Sequence, residues 1–125
     1  MIYLCNSASK TMYNDPRIKE IPEPLTEAQF IDIIYKNNVK SAIGHQPIAD
    51  CVSRIIGKQV KVNRMRLNLG YDDLILLVSI PGRLPENPEF VDTEKIEYRL
   101  IRVEKQEAVD ILKSEDIIKK LTMEA

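Results

Sequence analysis

The sequence predicts one α+β domain, in which about five β-strands form a sheet that is flanked by helices. A chain of 125 residues, of which 44% are hydrophobic, can bury one core without a metal ion or a disulfide. Apolar runs of strand length occur along the chain, and segments with the apolar spacing of helices occur between them. No internal repeat or low-complexity segment interrupts this pattern. A single compact domain is therefore expected.

The first third of the chain predicts a strand, a loop and a helix. Residues 1–6 are mostly apolar and predict an opening strand that ends in a polar turn. Residues 10–24 contain three prolines, so a surface loop is expected there, with at most a short extended piece at 18–21. Thr26 and Gln29 have the spacing of a capping box, which predicts the start of an amphipathic helix.

The only histidine of the chain lies where a second strand turns into a second helix. Residues 39–43 form a short apolar run that predicts the strand. Pro47 suits the first turn of the helix and Gly57 suits its C-terminal end. His45 lies just before that first turn. A helix N-terminus presents free N–H groups and the positive end of a dipole, so an anion can bind beside His45.

Residues 58–69 alternate between apolar and polar side chains, which predicts a third strand. The alternation changes phase near Asn63, where a bulge or a break is expected. Beyond that point Arg64 and Arg66 share one face of the strand with Asn68. Two guanidinium groups are therefore predicted to project from the same side.

The rest of the chain predicts two further strands and a helical end. Residues 70–73 read as a turn into a buried strand at 74–80, so a hairpin is expected. Residues 81–90 contain three prolines and predict a loop. Residues 97–103 alternate again as a last strand, and residues 105–125 have a helical pattern.

The charge and the cysteines exclude several classes of protein. The net charge is −1, so no overall positive field is available to hold long DNA or RNA, although a small anion could bind in a local basic pocket. Cys5 and Cys51 lack metal-ligand spacing and are expected to be buried free thiols rather than a disulfide. No run is long enough to span a membrane and no signal peptide is recognised, so a soluble cytoplasmic protein is expected.

One histidine with several arginines can support cleavage of an RNA phosphodiester without a metal ion. In that reaction the 2′-OH of the substrate attacks the adjacent phosphorus, so no protein nucleophile is needed. It requires alignment, stabilisation of the phosphate charge by arginine, and an acid that protonates the departing 5′-oxygen. The alternatives are a structural histidine, arginines that are only solvated, a Glu86 with no chemical role, and Asn6 and Ser9 that only cap a turn.

Four motifs then occur in a characteristic order. They are IYLCNSAS at the start, SAIGH in the centre, the pair Asn63–Arg64 after a helix that ends in Ile-Ile-Gly, and the tetrapeptide Arg83-Leu84-Pro85-Glu86. Residues 1–103, which contain all four, resemble the viral type III anti-CRISPR ring nuclease family, long labelled a domain of unknown function and common in archaeal viruses. The resemblance implies a homodimer with a mixed sheet.

The resemblance also implies an activity that uses no cofactor. Members of that family cut cyclic tetra-adenylate into linear di-adenylates that end in a 2′,3′-cyclic phosphate, which disarms type III CRISPR defence. By this resemblance His45 is the general acid and Glu86 is an accessory catalytic group. The resemblance further assigns ligand binding to four residues: Asn6, Ser9, Arg64 and Arg83.

The chain departs from the family pattern at three positions and extends beyond it. Ile48 replaces a hydroxyl residue, Gly82 replaces a glutamine, and Pro85 replaces the first of two acidic residues. Residues 1–104 are accordingly predicted to form the ring-nuclease-like domain, and residues 105–125 a helical extension that packs on it. Two other functions stay open: a dimer that binds and sequesters a cyclic oligonucleotide without cutting it, and a structural or regulatory dimer.

Overall fold

Five strands form one mixed β-sheet, and two helices lie against it. The structure, a computed structural model, describes residues 1–15, 17–81, 93–105, 118–119 and 121–122. The strands are β1 (Ile2–Cys5), β2 (Ile18–Leu25), β3 (Val39–Ser41), β4 (Leu74–Ser79) and β5 (Glu97–Lys105), and the helices are α1 (Glu27–Lys36) and α2 (Gln46–Ile56). Short 3-10 helices occur at Lys10–Met12 and Thr93–Lys95. The predicted α+β class with a five-stranded mixed sheet is confirmed.

The strand order is β2-β5-β4-β1-β3. Strand β1 lies between β3 and β4 and runs parallel to both. Strand β5 is antiparallel to β4 and to β2, which makes the sheet mixed. The three parallel strands therefore end at the same edge of the sheet, which is where the loops after β1 and β3 begin.

The side chains of the strands alternate between two apolar faces. The helix face is the side on which α1 and α2 pack; its buried residues include Leu4, Leu76, Val78 and Tyr98 from the sheet, and Phe30, Ile34, Val52 and Ile56 from the helices. The loop face is the opposite side, where irregular segments cover the sheet; its buried residues include Cys5, Ile75, Ile101 and Val103 from the sheet, and Tyr13, Leu67 and Leu69 from the covering segments. Because both faces are covered, β1 has no charged residue and β4 is apolar from Leu74 to Val78.

Both helices begin and end where the sequence predicts. Thr26 accepts a hydrogen bond from the Gln29 N–H at 3.1 Å, and its own N–H donates to the Gln29 side chain at 2.9 Å, so the predicted capping box is formed. Helix α2 has Pro47 in its first turn and ends at Gly57, whose φ is 75°. Glycine adopts this left-handed conformation without the strain that other residues incur.

The prediction of a loop at residues 10–24 is wrong in its second half, because residues 18–25 form the eight-residue strand β2. Pro22 and Pro24 lie in this strand, which pairs only with β5 and forms one edge of the described sheet. A proline is tolerated on an edge strand when its nitrogen faces away from the neighbouring strand, since no ladder hydrogen bond is then lost. The two prolines are two positions apart and so face the same way.

The prediction of a strand at residues 58–69, and of a hairpin with β4, is also wrong. Among the described residues this segment pairs only through an isolated bridge, between Leu69 and Tyr13, and β4 pairs instead with β1 and β5. The prediction that the apolar and the basic side chains of this segment lie on opposite sides is nevertheless correct. Leu67 and Leu69 are buried on the loop face, while Arg64 and Arg66 are exposed. The alternation reflects packing against a sheet rather than pairing within one.

The remaining predictions about the fold have different outcomes. The opening strand, the strand before α2, the buried strand after residue 73 and the last strand are confirmed. Cys5 and Cys51 are buried free thiols, as predicted, and they lie on opposite faces of the sheet. Most of the predicted loop at 81–90 and most of the predicted helix at 105–125 lie outside the described residues.

Within the part that is described, no helix has the length and apolarity that crossing a membrane requires.

Candidate functional site

The candidate site lies beyond the carboxyl ends of β1 and β3. Leu4 pairs with Ser41 across these two strands, and the Ala42 N–H donates to the Leu4 carbonyl at 2.9 Å. The loop after β1 and the loop after β3 therefore leave the sheet side by side. In sheets with parallel strands, ligands commonly bind outside the carboxyl ends, where the connections of neighbouring strands diverge. Strand β1 is such a point, because β3 lies on one side of it and β4 on the other.

His45 is the N-cap residue of α2. Its carbonyl accepts the first helical hydrogen bond, from the Ala49 N–H at 3.1 Å, while its side chain makes no capping hydrogen bond. The imidazole is exposed and has no hydrogen-bond partner among the described residues. The side chain of Gln46 donates to Asp50 at 2.7 Å and is thereby held along the helix. The ring of His45 is thus free to meet a ligand at the helix N-terminus.

Arg64 lies against the glycine that precedes His45. A Cβ atom added at Gly44 would be 3.1 Å from Cγ of Arg64 and 3.4 Å from its Cβ, so the absence of a side chain at Gly44 lets the Arg64 side chain lie directly against the backbone there. The guanidinium group forms no ion pair with any residue in the described ranges, and the side chain is exposed. Arg64 and His45 are therefore neighbours, and the positive charge of Arg64 is available to an anion.

Asn63 fixes the position of Arg64. Its backbone N–H donates to the Ile43 carbonyl at 2.8 Å, and its side-chain amide donates to the Ser41 carbonyl at 2.7 Å. Ser41 in turn donates from its hydroxyl to the Lys61 carbonyl at 2.8 Å. These bonds join residues that are about twenty positions apart and hold the segment after α2 against the exit of β3. Asn63 is therefore a positioning residue for the site.

Asn6 and Ser9 follow β1 at the same edge. Asn6 is half-buried and lines a cavity together with Ser7, Thr11 and Arg66. The Ser9 hydroxyl is 2.5 Å from that of Thr11 and accepts from the Thr11 N–H at 3.3 Å, while the Ser9 carbonyl accepts from Met12. Ser9 thus caps the first 3-10 helix, which is the alternative that the sequence left open for it. Asn6 lines the cavity, so it stays a candidate for contact with a ligand.

The structure places Arg64 against Gly44, next to His45 in the chain, and it places Asn6 and Ser9 in the loop after β1, which leaves the sheet beside the loop that leads to His45. Arg83 and Glu86 lie outside the described residues, as do Gly82 and Pro85. Ile48, at the position of the expected hydroxyl residue, is half-buried and packs against the core of the helix face.

Two contributions to the site are not found by reasoning from the sequence. Asn63 was expected only as a bulge, although its place in a motif beside Arg64 was a signal of its role. The cavity next to Asn6 could not be seen, because its lining comes from three separate segments. Among the residues that the structure describes, no group of three or more His, Cys, Asp or Glu side chains could hold a metal ion.

The fold and this edge site define a class of small α+β proteins with a polar pocket at the end of a mixed sheet. The sequence profile of the STIV B116-like family matches residues 2–104, so the chain belongs to that family. Among solved structures, B116 of Sulfolobus turreted icosahedral virus (STIV) is similar, with a TM-score of 0.71 and 23% identity over 81% of this chain and 97% of that one. At this identity the likeness shows the fold alone. No curated protein matches the chain.

The family takes its name from a protein of an archaeal virus. Of the family that the four sequence motifs suggested, the viral origin is therefore confirmed.

Proposed function

We propose that the protein is a metal-independent ring nuclease that cleaves cyclic tetra-adenylate into linear di-adenylates with a 2′,3′-cyclic phosphate, and that it thereby antagonises type III CRISPR immunity. The observation that carries the proposal is the exposed imidazole of His45 at the N-terminus of α2, which no described residue hydrogen-bonds, with Arg64 packed on the adjacent Gly44. Membership in a family named after an archaeal virus protein is consistent with a viral product that acts in the host cytoplasm.

In the proposed reaction His45 is the general acid. The ribose 2′-oxygen attacks the adjacent phosphorus and its proton passes to solvent. The bond between phosphorus and the 5′-oxygen breaks, and the imidazolium of His45 gives its proton to that oxygen. One end of the product carries a 2′,3′-cyclic phosphate and the other a 5′-hydroxyl. General acid catalysis of this kind contributes roughly 10²- to 10⁴-fold to the rate.

Arg64 and the N-terminus of α2 would stabilise the charge on the phosphate. Negative charge increases on the non-bridging oxygens as the phosphorus becomes five-coordinate, and donors that are already in place stabilise it without reorganisation. Asn63 holds Arg64 in place through its two hydrogen bonds to the β3 exit. By resemblance to the family, Arg83 would bind a second phosphate, Glu86 would assist at the site, and Asn6 and Ser9 would contact the ring.

A homodimer would match the shape of this substrate. A ring of four identical nucleotides has near twofold symmetry, and an isologous dimer presents the same surface twice around a twofold axis. Each subunit would then place one His45 at one of two opposite scissile bonds. Two cuts of that kind would yield two di-adenylates.

The direct test is to incubate the purified protein with cyclic tetra-adenylate in EDTA and to resolve the products by chromatography. We expect linear di-adenylates from the wild type and a rate that is roughly 10²- to 10⁴-fold lower for His45→Ala. Because the imidazole is exposed and has no described partner, His45→Ala should change the free energy of unfolding by no more than about 0.5 kcal/mol. Gln59→Ala, an exposed polar position away from this edge, is the control and should cleave like the wild type.

Failure of the wild type to cleave would contradict the proposal. A second candidate function, sequestration of the cyclic nucleotide, is favoured by Ile48, which packs into the core where a hydroxyl could have contacted phosphate. Tight binding with complete recovery of the intact ring would support sequestration instead.

A further inference from the structure

A cavity of about 240 Å³ lies next to the candidate site on the loop face. We infer that this cavity binds a purine base of the nucleotide ligand and that Arg66 sets the preference for that base. The inference rests on the proposed function, because it assumes a nucleotide whose phosphate lies at His45 and Arg64. It adds a residue, a subsite and a source of base specificity that neither the four motifs nor the catalytic geometry provides.

The position of the cavity connects it to the site. It is lined by the end of β1, the first 3-10 helix, the residue after β3 and the segment that follows Arg64. Ala42, in its wall, is three residues before His45, so their Cα atoms are at most about 11 Å apart. Arg66, also in the wall, is two residues after Arg64. A nucleotide bound at Arg64 therefore has the cavity within reach of its base.

The size of the cavity selects a fragment rather than a whole ligand. Pockets that enclose drug-sized molecules measure roughly 300 to 1,000 Å³, and one water molecule occupies about 30 Å³. A volume of about 240 Å³ is too small for a complete nucleotide ring and larger than a few ordered waters need. One flat heterocycle fits between these limits, and a purine fills more of the space than a pyrimidine does.

The walls of the cavity suit the faces of an aromatic ring. Met12 and Met65 contribute thioethers, and the remaining apolar wall comes from Cys5, Ala42 and Leu67. Thioether sulfur makes favourable contacts with aromatic rings, and methionine adapts its shape to irregular partners. These residues also belong to, or pack against, the core of the loop face, so the wall is supported from behind.

The rim of the cavity supplies the polar contacts that distinguish one base from another. Arg66 is exposed and forms no ion pair with a residue in the described ranges, so its five N–H donors can reach the ring nitrogens of a purine. Asn6 offers an amide oxygen that can accept from an exocyclic amino group, and it also offers donors. Thr11 is bonded to Ser9 and keeps part of its hydroxyl capacity.

The test separates base recognition from phosphate binding. Binding of cyclic tetra-adenylate and of cyclic tetra-uridylate is measured by titration calorimetry in a His45→Ala background, so that neither ring is consumed. We expect His45→Ala protein to bind cyclic tetra-adenylate more tightly than cyclic tetra-uridylate. Adding Arg66→Gln should reduce the ratio of the two affinities at least about fivefold, chiefly by weakening the binding of cyclic tetra-adenylate. The matched control is Arg102→Gln, which removes the same charge from an exposed arginine on β5 that pairs with Glu23 and Glu104.

Each outcome bears on the inference. An equal loss for both rings would identify Arg66 as a phosphate contact and overturn it, and so would an unchanged preference. Cleavage of cyclic tetra-adenylate by the wild type, together with unaltered selectivity in Arg66→Gln, would overturn this inference and leave the proposed function standing. Absence of both cleavage and binding in the wild type would overturn the two together.

Discussion

The two faces of the sheet are built in different ways. On the helix face, α1 and α2 cover the strands, and the rings of Phe30 and Tyr98 meet edge to face with their centroids 4.5 Å apart. On the loop face, the cover consists of residues around Tyr13 and of the segment through Leu67 and Leu69. These two stretches meet in one isolated bridge, in which the Leu69 N–H donates to the Met12 carbonyl at 2.7 Å and the Leu69 carbonyl accepts from the Asn14 N–H at 2.9 Å.

The difference shows how this fold separates stability from function. Cavities occur on both faces: one of about 260 Å³ on the helix face, lined in part by Leu4, Ile34 and Ile56, and one of about 240 Å³ on the loop face. The loop-face cavity is lined by the loop after β1 and by the segment that follows Arg64, so the irregular cover supplies the polar side chains beside the candidate site. Functional side chains are common on loops that a rigid scaffold positions. Here His45 lies at the junction between the two faces, with α2 on one side and the segment of Arg64 on the other.

The largest expected effect compares the cores of the two faces. Phe30→Ala should lower the free energy of unfolding by about 3 to 5 kcal/mol, because a fully buried ring is lost and the helix above it cannot collapse. Leu67→Ala should lower the free energy of unfolding by about 2 kcal/mol, since its segment is not paired into the sheet and can move to fill the space that the leucine leaves. Urea unfolding measures both, and Asp32→Ala on the exposed side of α1 should stay within about 0.5 kcal/mol. Equal losses would contradict the distinction between the faces.

The two cysteines test whether the loop face is sealed as well as the helix face. Burial raises the pKa of Cys5 from 9.0 to about 11, and it also raises the pKa of Cys51. The reactive thiolate of Cys5 is therefore scarce near neutral pH and increases only as the pH approaches 11. Alkylation of Cys5 near pH 8 should be about 100-fold slower in the native protein than in concentrated urea. Mass spectrometry of Cys51→Ser and of Cys5→Ser isolates each thiol; rapid native labelling of Cys5 alone would show that the cavity admits solvent to the core.

Two glycines provide a matched test of the contact at the junction of the faces. Gly44→Ala places a methyl group 3.1 Å from Arg64, so the arginine has to shift. We expect KM for cyclic tetra-adenylate to rise about tenfold, the effect of disturbing one charge-assisted hydrogen bond, with little change in stability. Gly70→Ala meets no atom closer than 3.8 Å and should leave KM unchanged. A similar change in both variants would mean that the packing of Arg64 on Gly44 has no part in binding.

The smallest expected effect concerns the cover of the loop face. The Tyr71 hydroxyl donates to Asp15 at 2.5 Å, and this bond, followed by those from Arg17, lowers the pKa of Asp15 from 3.8 to about 2. The stabilisation is thus present above about pH 4 and is lost as the pH falls toward 2. Wild type should be slightly more stable than Tyr71→Phe at neutral pH, and the difference should disappear over that window.

The control for the tyrosine experiment is Tyr35→Phe. The Tyr35 hydroxyl donates to the Ile56 carbonyl at 2.6 Å, and a carbonyl does not titrate in this range. The loss in Tyr35→Phe should therefore not vary with pH between about 4 and 2. A pH-independent loss in Tyr71→Phe as well would show that Asp15 is not the group responsible.

The sequence predicted those parts of the fold whose signals are local. The capping box at Thr26, the glycine at 57 and the apolar run of β4 each act within a few residues, and each appears where it was expected. The strand β2 was missed because prolines at 22 and 24 normally indicate a loop. Their tolerance depends on β5, whose pairing residues are about 80 positions away in the chain.

The candidate site also has one part that local sequence signals predict and one part that they do not. The place of His45 at the start of α2 follows from Gly44, Pro47 and the helical pattern after them, so the sequence alone determines it. The contact of Arg64 with Gly44 and the cavity beside Arg66 depend on hydrogen bonds and packing between residues far apart in the chain, such as Asn63 and Ser41. Local propensities act over one or two turns, whereas the free energy of burying a side chain depends on every segment that covers it. Only the tertiary structure could therefore decide which polar groups meet at this edge of the sheet.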